Sequence, residues 1–293
     1  MEENCRSGGR EPQRTSLRDI VFNYPAIDNH AHPLLKEEHR KSLAFEGLIS
    51  GARPNAIEDA VHSLPGYRAT RQLAELYGLD PGADWEEIKS YRDTLEYDQL
   101  CDMSMKRSGI QCLLLDDGLR GAREMANDLS WHGRFTNNSV YRLVRIETVA
   151  EVRIRYLPSQ GCRWMVLTMR LEHLLKSLST TDPDFIFEAF HSALYSMLRI
   201  YACHPAVVGF KSVVCYRTGL NISPNSDDLS SVEMGIASTV SSWNGEAGGS
   251  DELRLANRAL NDFVVRTALS IATEFNKPGK CCSHMLPPLL PHI

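Results

Sequence analysis

The sequence lacks the marks of several protein classes. No apolar run approaches the roughly 18 residues that a membrane-spanning helix needs. The first 18 residues are polar and have no apolar core of a secretory signal. The eight cysteines form no CxxC pair, which excludes zinc-ribbon spacing and favours reduced thiols in the cytoplasm. The net charge of -5 argues against nucleic acid or an anionic membrane as a partner.

Short apolar segments that end in polar residues recur along the 293-residue chain and predict buried parallel strands. These four segments are 25–28, 109–118, 141–147 and 206–214. Helical spacing predicts helices between the first two strands, over 56–64, 67–77 and 85–95, and later over 182–203 and 251–275. The polar stretch 221–250 is interpreted as a mobile loop.

Strands that alternate with helices indicate a parallel α/β architecture. The sequence therefore predicts about the first four strands of a (β/α)8 TIM barrel, with a helical insertion after strand 1. In such barrels the chemistry lies at the carboxyl ends of the strands.

The string Ala26-Ile27-Asp28-Asn29-His30-Ala31-His32-Pro33 resembles the opening of the amidohydrolase-related family. More narrowly, it resembles the amidohydrolase domain at the N-terminus of fungal FluG-type proteins and plant nodulin/glutamine-synthetase-like fusions. Three further blocks support the narrower resemblance: 114–118, then 131–132 followed by 142–147, and 208–220. The resemblance extends from about residue 16 to residue 278.

This resemblance implies a metal-dependent hydrolase that acts on a C–N bond, although some relatives are decarboxylases or isomerases. It also implies further ligands, a histidine on strand five and another on strand six, and a general-base aspartate on strand eight. Residues 279–293 are rich in proline and do not match that pattern. We therefore expect a disordered lead-in (1–18), a partial barrel domain (19–278) and a non-family tail (279–293). We expect hydrolase activity to be impaired or absent. Whether this chain is an enzyme is therefore left open.

His30 and His32 are the candidate metal ligands. Side chains two apart on a strand lie on the same side, so both imidazoles can reach one ion. Neutral imidazole favours zinc and similar divalent ions. Asp28 is interpreted as orienting a histidine or the strand end.

Lys211 follows the fourth predicted strand, where the resemblance implies a carboxylated lysine that bridges two metals. The alternatives are an ion pair with Glu147 and an anchor for a substrate carboxylate. Glu147 and Lys211 are the candidate catalytic residues. Asp116 and Asp117 end the second strand, and at least one of them is expected to cap the turn before Gly118.

Four residues are candidates for substrate binding: Asp117, His132, Tyr216 and Arg217. Arginine binds carboxylates through two parallel hydrogen bonds, which suits a γ-glutamyl or other acidic amide. We therefore predict a small amide or carboxylate as the substrate. Whether the chain forms a homo-oligomer is left open. A fragment that acts only by binding, and a decarboxylase or isomerase, are the alternative functions.

Overall fold

The computed structural model describes residues 16–51, 56–118, 124–137, 139–151, 183–225, 228–245 and 254–281. Within these ranges one parallel sheet has its strands in chain order: β1 (Ala26–Ala31), β2 (Ile110–Leu115), β3 (Val140–Arg145), β4 (Val207–Ser212) and β5 (Gly279–Cys281). The helices are α1 (Leu17–Asn23), α2 (Leu64–Tyr77), α3 (Trp85–Thr94), α4 (Tyr97–Lys106), α5 (Leu129–His132), α6 (Ile146–Glu151), α7 (Pro183–Cys203), α8 (Leu229–Gly245) and α9 (Arg258–Glu274). The sheet is a curled half-barrel, as a partial TIM barrel requires.

The helices cover the sheet through two hydrophobic clusters. Helices α2 to α4 pack on β1 and β2, with Ile88 and Leu100 fully buried. Helices α6 to α9 pack on β3 and β4, with Leu194 and Ile271 fully buried. No helix among the described residues is long and apolar enough to cross a membrane.

Local sequence signals determine where several helices begin and end. The Asp84 side chain accepts a hydrogen bond from the Glu87 amide and the Glu87 side chain accepts one from the Asp84 amide, which forms a capping box at the start of α3. Gly78 ends α2 with a φ of 71°, a left-handed conformation that glycine adopts without strain.

The long helix predicted over 182–203 is confirmed as α7, and residue 182 lies outside the described residues. The prediction of a loop over 221–250 is wrong in part, because α8 occupies Leu229–Gly245. Its Val232 and Ile236 lie four residues apart and are both buried, so packing overrides the weak helix preference of the surrounding Ser and Gly. The last helix begins at Arg258, after the N-cap Asn257, rather than at 251.

A fifth strand extends the sheet beyond the four that the sequence predicts. Strand β5 lies parallel to β4, with Lys280 opposite Lys211. Gly209 permits this approach, since a Cβ atom there would lie 2.7 Å from the carbonyl oxygen of Pro278. The remainder of the expected tail, 282–293, and most of the expected lead-in, 1–15, lie outside the described residues.

Candidate metal centre

The predicted site residues come from the carboxyl ends of neighbouring parallel strands. His30 is near the end of β1 and His32 follows it, Asp116 follows β2, and Lys211 is near the end of β4. Because parallel strands end at the same edge of a sheet, these groups meet at one rim of the half-barrel.

His32 is held in the form that can bind a metal. It is buried, and its Nδ1 donates a hydrogen bond to the main-chain oxygen of Asp116 at 2.9 Å. Burial lowers the pKa of His32 to about 4, so the ring is neutral at physiological pH. With Nδ1 protonated, the lone pair is on Nε2, which leaves that atom available to a ligand.

His30 lies beside His32, with 5.8 Å between the ring centroids. Its main-chain amide donates to Asp28 Oδ1 at 2.9 Å, so Asp28 orients the strand end as expected. The two imidazoles therefore fit a borderline divalent ion as a pair of ligands. Among the described residues, no group of three or more His, Cys, Asp and Glu side chains is placed to hold a metal.

Asp116 is the centre of a buried ionic cluster at this rim. Its Oδ2 lies 2.8 Å from Lys211 Nζ and 2.5 Å from Arg145 Nη2, while Oδ1 accepts from the Gly118 amide at 2.9 Å. Burial alone would raise the pKa of Asp116, but Arg145 and Lys211 hold it well below its ordinary value. Asp116 therefore caps the turn before Gly118, and Lys211 pairs with Asp116 rather than with Glu147.

Glu147 lies in α6 and not at the end of β3 as predicted. Its Oε1 accepts hydrogen bonds from Ser212 Oγ at 2.6 Å and from the Val213 amide at 2.9 Å. Oε2 has no hydrogen-bond partner among the described residues. Burial raises the pKa of Glu147. This carboxyl group thus holds the end of β4 in place.

Asp117 and His132 are both engaged within the protein. Asp117 pairs with Arg142 through two contacts, at 3.0 and 2.9 Å. The buried His132 donates from Nδ1 to the Asp128 carbonyl and accepts at Nε2 from the Leu34 amide. The rings of His132 and His32 line one small cavity, together with Asp28 and apolar side chains.

Arg217 and Tyr216 follow β4 but differ in their surroundings. Arg217 pairs with Glu151 and donates to the carbonyl of Leu255 at 3.2 Å. Among the described residues, neither of these partners belongs to the rim. Tyr216 is 52% exposed, so its ring is accessible to solvent.

Arg145 and Lys280 also lie at this rim, and neither was among the sequence candidates. Arg145 lies opposite Lys211, and Lys211 lies opposite Lys280, so the three cations stand side by side across β3, β4 and β5. The pairing register determines this row, and no local sequence pattern reveals it.

Comparison with known proteins identifies a relative that covers most of this chain. The chain is 34% identical over 278 residues to Protein fluG of Emericella nidulans, an alignment that covers 91% of the chain. The chain is a homologue of FluG. It spans only about 30% of FluG's length. No protein-family model matches the sequence.

One solved structure supports the scaffold of this FluG homologue. A Lactobacillus casei protein described as a metal-dependent hydrolase matches with a TM-score of 0.58 and 18% identity, over 89% of this chain and 58% of its own. That likeness establishes the partial-barrel fold. A uronate isomerase from Bacillus halodurans also matches, with a TM-score of 0.46 and 12% identity, over 93% of this chain and 61% of its own.

Proposed function

We propose that this chain carries the metal-binding rim of a hydrolase that acts on a C–N, amide-like bond, including γ-glutamyl amides. The observation that carries the proposal is the neutral His32, fixed through Nδ1 by the Asp116 carbonyl and placed beside His30. The homology to FluG and the fold shared with a metal-dependent hydrolase support it. In this proposal β1 to β4 are the first barrel units, and the segment between β1 and β2 is a helical insertion.

His30 and His32 would hold the ion, and zinc is the ion that we propose because neutral imidazoles favour it. A bound divalent ion supplies Lewis acidity and lowers the pKa of water to about 7. Asp116 fixes the His32 tautomer through its main chain. We propose no bridging role for Lys211 in the state described, since its ammonium group is paired with Asp116.

The positive charge at the rim favours an acidic substrate. Lys211 and Arg145 bring two cations to the single carboxylate of Asp116, and Lys280 lies beside Lys211, so positive charge is in excess in this row. A carboxylate on the substrate would compensate that excess. Of the candidate substrate contacts, Tyr216 has the exposed ring that such a role needs, whereas Asp117, His132 and Arg217 are engaged with other groups of the protein.

Reduced or absent turnover is part of the proposal. Two imidazoles are fewer than the three protein ligands of most catalytic zinc sites, and the described residues provide no third. The alternative is a protein that acts only by binding.

Hydrolysis assays with and without metal test the proposal. The chain is depleted of metal, reloaded with zinc and supplied with γ-glutamyl amides. We expect weak hydrolysis that needs zinc and disappears in the His30→Ala/His32→Ala variant. Release of CO2 from small carboxylic acids would favour a decarboxylase instead. Zinc-independent hydrolysis, or the absence of both zinc binding and turnover, would refute the hydrolase assignment.

A further inference from the structure

A side chain from β5 joins the two edges of the curled sheet. Lys280 Nζ donates to the main-chain oxygen of Asn29 at 2.9 Å and contacts Asn29 Oδ1 at 3.1 Å. Strands β5 and β1 are the two edge strands, separated by three other strands in the sheet. This contact therefore spans the open side of the half-barrel.

Asn29 lies at the irregular part of β1 that precedes His32. Asp28 pairs with Leu113 and Ala31 pairs with Leu115, so two residues of β1, Asn29 and His30, stand opposite Leu114 alone. A bulge of this kind bends a strand and changes the direction of its side chains. The positions of both imidazoles thus depend on how this bulge is held.

The bulge is held from two sides. Asp28 Oδ1 accepts the His30 amide within the strand, and Lys280 binds Asn29 from the opposite edge of the sheet. A charged donor strengthens a hydrogen bond relative to a neutral one. The Asn29 carbonyl group belongs to an edge strand, and in the part of the chain that the structure describes no further strand lies beside it to supply a donor.

We propose that Lys280 is a positioning residue for the His30–His32 pair. It closes the open side of the half-barrel at the rim and fixes the bulge that aims the imidazoles. The significance for metal binding rests on the proposed function, whereas the positioning itself is independent of any metal.

Three variants separate positioning from general stability. Lys280→Met removes the donor and keeps the chain length, and Lys280→Arg restores a charged donor. Lys277→Met is the matched control, because Lys277 Nζ also donates to a strand carbonyl, that of Val207 at 2.6 Å, but away from β1.

The first readout uses metal-free protein and measures hydrogen exchange of the His30 amide together with the imidazole NMR shifts of His30 and His32. We expect Lys280→Met to speed His30 exchange about tenfold and to shift both imidazole signals, with recovery in Lys280→Arg. Lys277→Met should leave these signals at their original values. Unchanged exchange and shifts in Lys280→Met, or equal changes in Lys277→Met, would overturn the proposal.

The second readout is the affinity for zinc alone. Loss of a group that orients a ligand typically weakens metal binding about 10-fold to 100-fold, and we expect Lys280→Met, but not Lys277→Met, to show this loss. Equal zinc affinity in all variants, with a measurable parent affinity, contradicts the positioning role. If the parent binds no zinc, the proposed function fails, and the metal-free signals still decide the role of Lys280.

Discussion

At the scale of single residues, strand periodicity predicted that the rings of His30 and His32 lie on one side, and their centroids are 5.8 Å apart. The partner of Lys211 could not be predicted. Asp116 and Glu147 both follow strands, and only the folded register shows that Asp116 lies beside Lys211 and Arg145. The ion pair between Arg217 and Glu151 could not be predicted either, because only the folded chain brings the two side chains together.

Replacement of Asp116 by Asn should strongly destabilise the protein. The change leaves the buried Lys211 and the largely buried Arg145 without their counter-charge, and breaking a buried pair in this way costs about 3–5 kcal/mol. Urea unfolding followed by circular dichroism measures the loss. Asp117→Asn is the control, because the Asp117–Arg142 pair is about one-fifth exposed and should contribute about 1 kcal/mol or less. Equal losses in the two variants would contradict the central role of Asp116.

The buried His32 should make the stability of the metal-free protein depend on pH. Its pKa is about 4 in the folded state, against 6.5 as the ordinary value. Protons therefore bind the unfolded chain first as the pH falls. The contribution of neutral His32 to the free energy of unfolding is complete above pH 6.5. It declines as the pH falls to 4, by about 3 kcal/mol in total.

Unfolding free energies measured across this pH window test that contribution. In the variant His32→Asn, this decline of the unfolding free energy with falling pH should be absent. The pH dependence that comes from other buried groups should remain. An identical slope in the parent and in His32→Asn would show that His32 is not buried in its neutral form.

At the scale of elements, continuous apolar runs predict four strands, since a strand covered on both faces needs such residues. Helix α8 was missed because its segment is rich in Ser and Gly, and its helical conformation depends on packing of Val232 and Ile236. Strand β5 is only three residues long, too short for any periodicity to appear.

The approach of β5 to β4 should depend on Gly209. A Cβ atom at this position would lie 2.7 Å from the Pro278 carbonyl oxygen, a main-chain atom that cannot move alone. We expect Gly209→Ala to lower the free energy of unfolding by about 1–3 kcal/mol and to speed amide exchange in β5. Gly51→Ala is the control, because a Cβ atom there would meet nothing within 4 Å. Retained protection of β5 in Gly209→Ala would contradict this account.

At the scale of the whole molecule, the sequence predicted the parallel half-barrel. It did not reveal the contact between Lys280 and Asn29, which are 251 positions apart in the chain. Such a contact depends on the curl of the sheet, which brings its two edges together. Local sequence patterns contain no information on that curl.

The central claim is that the rim of this half-barrel binds a divalent metal through His30 and His32. Its most direct test is calorimetric titration of the metal-depleted chain with zinc. We predict saturable binding of about one ion per chain, weakened at least about tenfold in His32→Ala. Binding should be unchanged in His191→Ala, whose ring packs on Phe187 in α7. No saturable binding, or equal weakening in both variants, would contradict the claim.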